Sequence, residues 1–252
     1  MKSPFDVSIT DGIAELMFNH PPVNAFDAAT WAAIATAIED LGKNVDVRVI
    51  IIAAEGKGFC AGVDIKELAA DGGKIADVNR GNYDTFRAIH RNPKPVIVAV
   101  HGYVLGGGIG ISGAADVIVA SECARFGVPE VDRGAMGGGA HLQRMFPVQK
   151  VRYMYFTGDF IEAAEAYRLG AVERVVPREQ LMAAAREIAT MIADKSPDMI
   201  SLAKEALTGV EDGDLEDKYR WEQGFTFEAY TREDSQEARD AFVEKRDADF
   251  EK

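Results

Sequence analysis

Two stretches of this chain place glycine where a buried apolar run gives way to a helical pattern, and both can present an oxygen ligand with bare backbone. The first reads Gly56-Lys57-Gly58-Phe59-Cys60-Ala61-Gly62-Val63-Asp64, with Asp64 near a helix start; the second runs from His101 to Gly113 and contains the triplet Gly106-Gly107-Gly108. Three consecutive glycines remove every Cβ, so a ligand atom can lie directly on N–H groups where a helix begins. That arrangement suits a phosphate, or a carbonyl oxygen that gains negative charge during a reaction. Two such corners suggest two donors converging on one oxygen, although two ordinary strand-to-helix turns would use the same residues. Gly108, Gly110 and Gly113 also fit the spacing of a dinucleotide-binding loop. The context argues against it, because the next apolar run, residues 117–120, leads into Ser121 rather than an acid. No Lys-Ser or Lys-Thr pair follows the glycines, which argues against a triphosphate loop.

The elements that must position these corners alternate between strand and helix patterns over the first hundred residues. Residues 7–9 and 13–18 read as a hairpin around Thr10-Asp11-Gly12. Asp27 is placed to cap a helix whose Trp31, Ile34, Ile38 and Leu41 share one face. Residues 47–54, 95–100 and 117–120 are apolar with little interruption, the pattern of strands covered on both faces. Residues 64–91 between them are polar and helical. The second half is mostly helical, over residues 149–156, 163–169, 178–194 and 198–207, with a short strand at 172–176. No Gly-, Ser- or Pro-rich linker separates independent domains.

Composition narrows the partners. The chain has 252 residues, 47% of them apolar, enough for a substantial core. Forty-one acids against twenty-eight bases give a net charge of −13, which argues against nucleic acid or an anionic membrane as the main partner. Cys60 and Cys123 match no metal or redox spacing, and a reducing compartment is the plain expectation. The first residues carry no apolar leader and no window approaches a membrane span, so a cytoplasmic protein is expected. From Glu211 onward, fifteen acids and seven bases accompany Trp221, Phe225, Phe227, Tyr230, Phe242 and Phe250. Aromatics at that density require something to pack on, the main body or a neighbouring subunit.

Taken in order, several segments resemble the crotonase (enoyl-CoA hydratase/isomerase) superfamily across essentially the whole chain. They are Pro22-Val23-Asn24-Ala25-Phe26, the loop from Gly58 to Leu68, Gly102 to Gly108, Phe126-Gly127-Val128-Pro129-Glu130-Val131, Thr157-Gly158 through Gly170-Ala171-Val172, and the C-terminal Ala241-Phe242 with Glu244-Lys245-Arg246. The resemblance implies an α/β fold, a ClpP/crotonase-like spiral of ββα repeats over residues 1–195. A helical oligomerisation region over 196–252 would follow, forming a homotrimer or dimer of trimers. It implies an acyl-CoA thioester whose carbonyl lies between two backbone N–H groups, carried over by position onto Val63 and Gly107. Ala25, Ala61, Asp64, Ile65 and Lys66 would line the coenzyme, with Lys66 and Lys245 near phosphates. Coenzyme A enters as part of the substrate, with no tightly bound cofactor and no metal.

Hydration in this family uses two carboxylates. The position of the first is Gly110 here, and that of the second is Glu130. With one acid missing, compensation is expected from His141, which occupies a position where the family has glycine, or from Asp132 and Arg133. Gly138, just before it, would line the substrate. Arg80 falls on the helix that caps the acyl pocket and would meet a substrate carboxylate or ketone. Within the superfamily, the segments around Gly110, Glu130, Arg80 and Glu222 are most similar to the ring-opening hydrolases of actinobacterial steroid C/D-ring degradation. Those enzymes cleave a C–C bond in a cyclic β-keto acyl-CoA by retro-Claisen chemistry. Water activated by Glu130 or His141 would add to a ring ketone, and the leaving carbanion would be a thioester enolate held by Val63 and Gly107. A hydratase or isomerase working through Glu130 alone, a non-catalytic acyl-CoA-binding protein, and a nicotinamide-dependent dehydrogenase resting on the glycine spacing alone remain alternatives.

Overall fold

The computed structural model describes residues 3–211 and 213–249, so Phe250 lies outside the described residues. β1 (Phe5–Thr10) and β2 (Ile13–Phe18) form an antiparallel hairpin in which Thr10 pairs with Ile13. Its two-residue loop needs positive φ at both positions, which Asp11 and Gly12 supply at +51° and +78°. β3 (Ala25–Phe26) leads to α1 (Ala28–Lys43), where the Asp27 carboxylate accepts from the Thr30 N–H at 2.7 Å.

Next come β4 (Val49–Ala54), β5 (Gly62–Val63), α2 (Ile65–Ala70) and α3 (Ile75–His90). The polar stretch 64–91 is therefore two helices separated by a short 3₁₀ turn at Gly72–Lys74. They are followed by β6 (Val96–Val100), β7 (Tyr103–Leu105), α4 (Gly107–Ala114), β8 (Val117–Ser121) and β9 (Arg125–Gly127). A 3₁₀ turn at Pro129–Arg133 precedes α5 (Gly139–Met145), α6 (Val148–Thr157), β10 (Phe160–Glu162), α7 (Ala163–Arg168) and β11 (Arg174–Val176). α8 (Leu181–Ala193), α9 (Pro197–Val210), α10 (Leu215–Ala229) and α11 (Glu233–Glu244) complete the chain.

The topology is a spiral. β2, β4, β6 and β8 each enter a main sheet of order β1-β2-β4-β6-β8-β11, parallel from β2 onward. Each is followed by a short strand outside that sheet, β3, β5, β7 or β9, and then by helix. This is the ββα repeat that the family resemblance implied. The short strands are hard to see in sequence because two or three residues carry no periodicity.

The unbroken apolar runs are explained by burial on both faces. In β4, Ile50, Ile52 and Ala54 face the main core with Trp31 and Ile38 of α1. Val49, Ile51 and Ala53 face a second cluster built on Leu181, Ala185 and Ala189 of α8.

The C-terminal helices are tied back to this body. Lys204 of α9 is buried and donates to Asp116 at 2.7 Å and to the carbonyls of Ile89 and Lys94. Glu216 of α10 accepts from Arg91 at 2.9 Å and pairs with His90 at the same distance. Burial alone would raise the Glu216 carboxyl, but hydrogen bonds from His90 and Arg91 hold it well below the usual carboxylate range. α10 therefore lies against α3 and α5, and α11 against α2 and the 129–133 turn.

Candidate active site

A cavity of about 270 Å³ opens between the β3–β5 pair, the 129–133 turn and α11, and it adjoins an inner chamber of about 50 Å³ under α3 and α10. Val63, Glu130, Ala135 and Tyr230 line both, so the two spaces meet at those four residues. A larger groove of about 960 Å³, between the β1–β2 hairpin and α8, contains no residue of either glycine corner. Size alone does not locate the chemistry.

The two corners do come together at this junction. β5 pairs with β3 so that the Asp64 N–H donates to the Phe26 carbonyl at 3.0 Å. Alternate residues of a strand point their N–H groups to opposite sides, so the Val63 N–H faces away from β3. On that side lies the second corner: a Cβ on Gly62 would stand 3.2 Å from the Gly107 nitrogen. Gly107 is the first residue of α4, where an N–H has no acceptor one turn back. Val63 and Gly107 both line the inner chamber. The backbone turns into α4 through Gly106 at φ +49°, where a Cβ would collide with the Glu130 carboxylate.

Glu130 projects from the 129–133 turn to the junction. Its Oε2 is shielded from solvent and has no hydrogen-bond partner among the described residues. Burial pushes this carboxyl up to about 8; its own turn and the Arg133 charge oppose the rise, and Glu222 adds to it. Glu222 itself accepts from the Gly139 and Ala140 N–H groups at 2.5 and 3.1 Å and from the Tyr155 hydroxyl at 2.9 Å. It closes the start of α5 and leaves Glu130 as the carboxylate with an uncommitted oxygen at the junction. Gly110, one turn into α4, faces the Phe86 ring of α3, and a Cβ there would overlap it.

The remaining sequence candidates separate. Ala25, Ala61, Asp64, Ile65 and Lys66 line the outer cavity, with the Lys66 side chain exposed at its mouth. Gly138 lines the inner chamber. His141 is 1% exposed and sits edge-on between the rings of Phe86 and Tyr219, at centroid distances of 4.7 and 4.9 Å. Those rings form the chamber wall, so His141 is enclosed behind it rather than presented to a substrate. Burial lowers its imidazole to about 3, leaving it neutral.

Arg80 is also displaced from the expected position. Ile75, Val78, Asn79, Asn82 and Phe86 form the buried stripe of α3, and Arg80, about 100° further round the helix than Asn79, points outward. Asp132 and Lys245 are exposed and line neither space, whereas Arg133 lines the outer cavity.

In place of Arg80, the structure brings Asn79 and Asn82 to the inner chamber, each with a buried amide Nδ2 that has no partner among the described residues. Tyr230, Arg239 and Phe242 from the C-terminal helices close the outer cavity. A buried polar stripe on α3 was a visible signal in the sequence; the docking of α11 had none.

The family model described as Enoyl-CoA hydratase/isomerase matches residues 8–252. The chain is 48% identical over 236 residues to the (7aS)-7a-methyl-1,5-dioxo-2,3,5,6,7,7a-hexahydro-1H-indene-carboxyl-CoA hydrolase of Rhodococcus jostii, covering 93% of this chain and 92% of that one. It is 46% identical to the Mycobacterium tuberculosis protein of the same name, covering 93% and 96%. Among solved structures, the carnitinyl-CoA hydratase of Mycobacterium avium superposes with a TM-score of 0.87 at 29% identity, covering 100% of this chain and 99% of that one.

Proposed function

Because this chain belongs to the enoyl-CoA hydratase/isomerase family, an enzyme family, we propose that it hydrolyses a carbon–carbon bond in a cyclic β-keto acyl-CoA, opening the ring. The observation that carries this reading is the Phe86 ring packed against Gly110, which leaves the junction one uncommitted carboxylate and no space for a second. Paired-carboxylate hydration of a double bond has no second acid, whereas ring opening needs a single base. The 46–48% identity to two indene-carboxyl-CoA hydrolases supports the same assignment, and with it a bicyclic substrate of that chemistry.

In this reading the thioester carbonyl accepts from the Val63 and Gly107 N–H groups. Removing one such donor typically costs about 3 kcal/mol of transition-state stabilisation. Asn79 and Asn82 donate to ketone oxygens of the acyl group in the inner chamber. Glu130, as carboxylate, takes a proton from water while the water oxygen bonds to the ring ketone carbon. The C–C bond to the thioester α-carbon then breaks and its electron pair becomes the thioester enolate. That enolate takes a proton from Glu130, and the former ketone carbon, still tethered, becomes a carboxylic acid that loses its second water proton to solvent as a carboxylate. Ala25, Ala61, Ile65 and Lys66 hold the coenzyme portion along the outer cavity. We further read the protein as a cytoplasmic oligomer, a trimer or dimer of trimers. In support, both cysteines are free, and Trp221, 75% exposed, and Phe225 of α10 adjoin Phe156 of α6, 66% exposed, around an apolar hollow.

Incubation with a bicyclic β-keto acyl-CoA followed by mass spectrometry tests the proposal: a ring-opened product one water heavier is expected. Brisk hydration of crotonyl-CoA with no such product would overturn it.

A further inference from the structure

We propose that Arg239, with Arg133 beside it, forms an anion subsite that receives the carboxylate released when the ring is opened, an inference resting on the hydrolase reading. Arg239 is 2% exposed yet has no carboxylate within ion-pair distance among the described residues. Its hydrogen bonds go to neutral oxygens, Ser235 Oγ and Gln236 Oε1, and its Nε is buried without a partner among the described residues. A guanidinium removed from water and left without a counter-charge is costly, and an anionic ligand removes that cost. Arg133 likewise has no carboxylate within ion-pair distance among the described residues, although its charge acts on Glu130, and it donates to the Pro129 carbonyl. In an acidic chain whose Arg91, Arg144 and Arg186 are all paired, two arginines without such a partner line one cavity.

Their orientation fits the role. The Arg239 Cζ lies 4.2 Å from the Tyr230 ring centroid and the Arg133 Cζ 4.8 Å from that of Phe242. A guanidinium held over a ring keeps its in-plane N–H edge free for a two-oxygen acceptor. Tyr230 lines both spaces, so Arg239 stands one ring away from the junction of Val63 and Glu130. In the reading above the coenzyme phosphates lie at the exposed Lys66, at the mouth of the same cavity. The acyl group of a neutral diketone carries no charge, and hydrolysis creates one: the water oxygen ends in a new carboxylic acid that releases its proton to solvent, while the cleaved bond's electrons pass to the α-carbon and take up the other water proton there. A cationic subsite therefore favours the product side of the ring-opening step.

The test uses the full-length protein and ω-carboxyacyl thioesters from succinyl- to adipyl-CoA against their neutral counterparts from butyryl- to hexanoyl-CoA, measured by calorimetry. The wild type should bind at least one carboxylated thioester about tenfold more tightly than its neutral match. Arg239→Gln should erase that preference while leaving acetyl-CoA affinity within about twofold, and Arg239→Lys should keep part of it. No preference in the wild type overturns the subsite whether or not a variant folds. Equal weakening of acetyl-CoA and carboxylated ligands by Arg239→Gln also overturns it, by assigning the cation to a coenzyme phosphate. Because these probes are not ring-opened, a preference that depends on Arg239 stands even if the bicyclic substrate is not turned over, which separates this inference from the reaction itself.

Discussion

The Phe86 ring occupies the space into which a side chain at Gly110 would project: a Cβ built there would lie 2.6 Å from Phe86 Cε1 and closer still to two other ring atoms. The missing carboxylate is thus a packed feature of the chamber, held by Trp31, His141 and Tyr219 around the same ring. Gly110→Glu should therefore fail to create a hydratase. Overpacking costs typically about 1–3 kcal/mol, and a charged group forced against an aromatic ring adds to it. We expect a lower Tm and no gain in crotonyl-CoA hydration, with Gly110→Glu/Phe86→Ala more stable than additivity of the two single changes predicts. Additive losses would show that Phe86 does not fill that space.

As the proposed base, Glu130 should set the pH dependence of turnover. Its carboxyl is raised from 4.5 to about 8 by burial, so the proton-accepting form grows as pH rises through that value. kcat/KM for ring opening should climb to a plateau above about pH 8, and Glu130→Gln should lower it by roughly 10²–10⁴-fold. The same shift acts oppositely on stability. A carboxyl with a higher pKa in the folded state binds its proton more tightly there, so its contribution is full below pH 4.5 and is lost as pH rises toward about 8. Glu130→Gln should consequently lose less stability than the wild type between those limits in denaturant titrations; identical slopes would place Glu130 in solvent.

Much of this site was legible because its chemistry is carried by backbone. The proposed donors Val63 and Gly107 would act through N–H groups, and the glycines that expose them are visible as spacing. Glu130 was equally plain within Pro129-Glu130. Side chains on helices were less legible, because position along a helix fixes a direction only once the helix is seated. One residue separates the exposed Arg80 from the chamber-lining Asn79, and His141 turned out to face Phe86 and Tyr219 inside the core. The aromatic C-terminus required a partner surface, but that α11 would lay Arg239 and Phe242 over this chain's own cavity depends on tertiary contacts more than a hundred residues apart in sequence.

If the oxyanion donors are backbone groups, substitution tolerance should follow space rather than residue type. Val63→Ala keeps its N–H and should retain turnover within a few-fold. Gly107→Ala also keeps the N–H, but its Cβ would lie 2.5 Å from Trp31 Cζ2 and 3.3 Å from Gly62 Cα, driving the two corners apart. We expect kcat to fall by roughly 10²–10³-fold, comparable to loss of a donor. Trp31→Phe, which withdraws the outer indole ring, should restore part of it in the double variant. A Gly107→Ala enzyme with unchanged kcat would remove Gly107 from the donor pair.

His141 separates a structural from a catalytic role through acid stability. Enclosed by aromatic rings, its imidazole titrates near 3 rather than 6.5, so below pH 6.5 the unfolded chain binds a proton that the folded chain refuses. Its contribution is full above pH 6.5 and is lost as pH falls toward 3, by up to about 1.4 kcal/mol per pH unit. Glu130 works in the opposite direction between pH 4.5 and about 8, so over the overlap from 4.5 to 6.5 the two slopes offset each other in the wild type. Between pH 6.5 and 4.5, His141→Gln should therefore gain stability relative to the wild type as the solution is acidified, Glu130→Gln should lose it, and the double variant should track the wild type. kcat/KM of His141→Gln should stay within about tenfold of the wild type, because the imidazole does not reach the junction. A loss as deep as that of Glu130→Gln would instead make His141 the base.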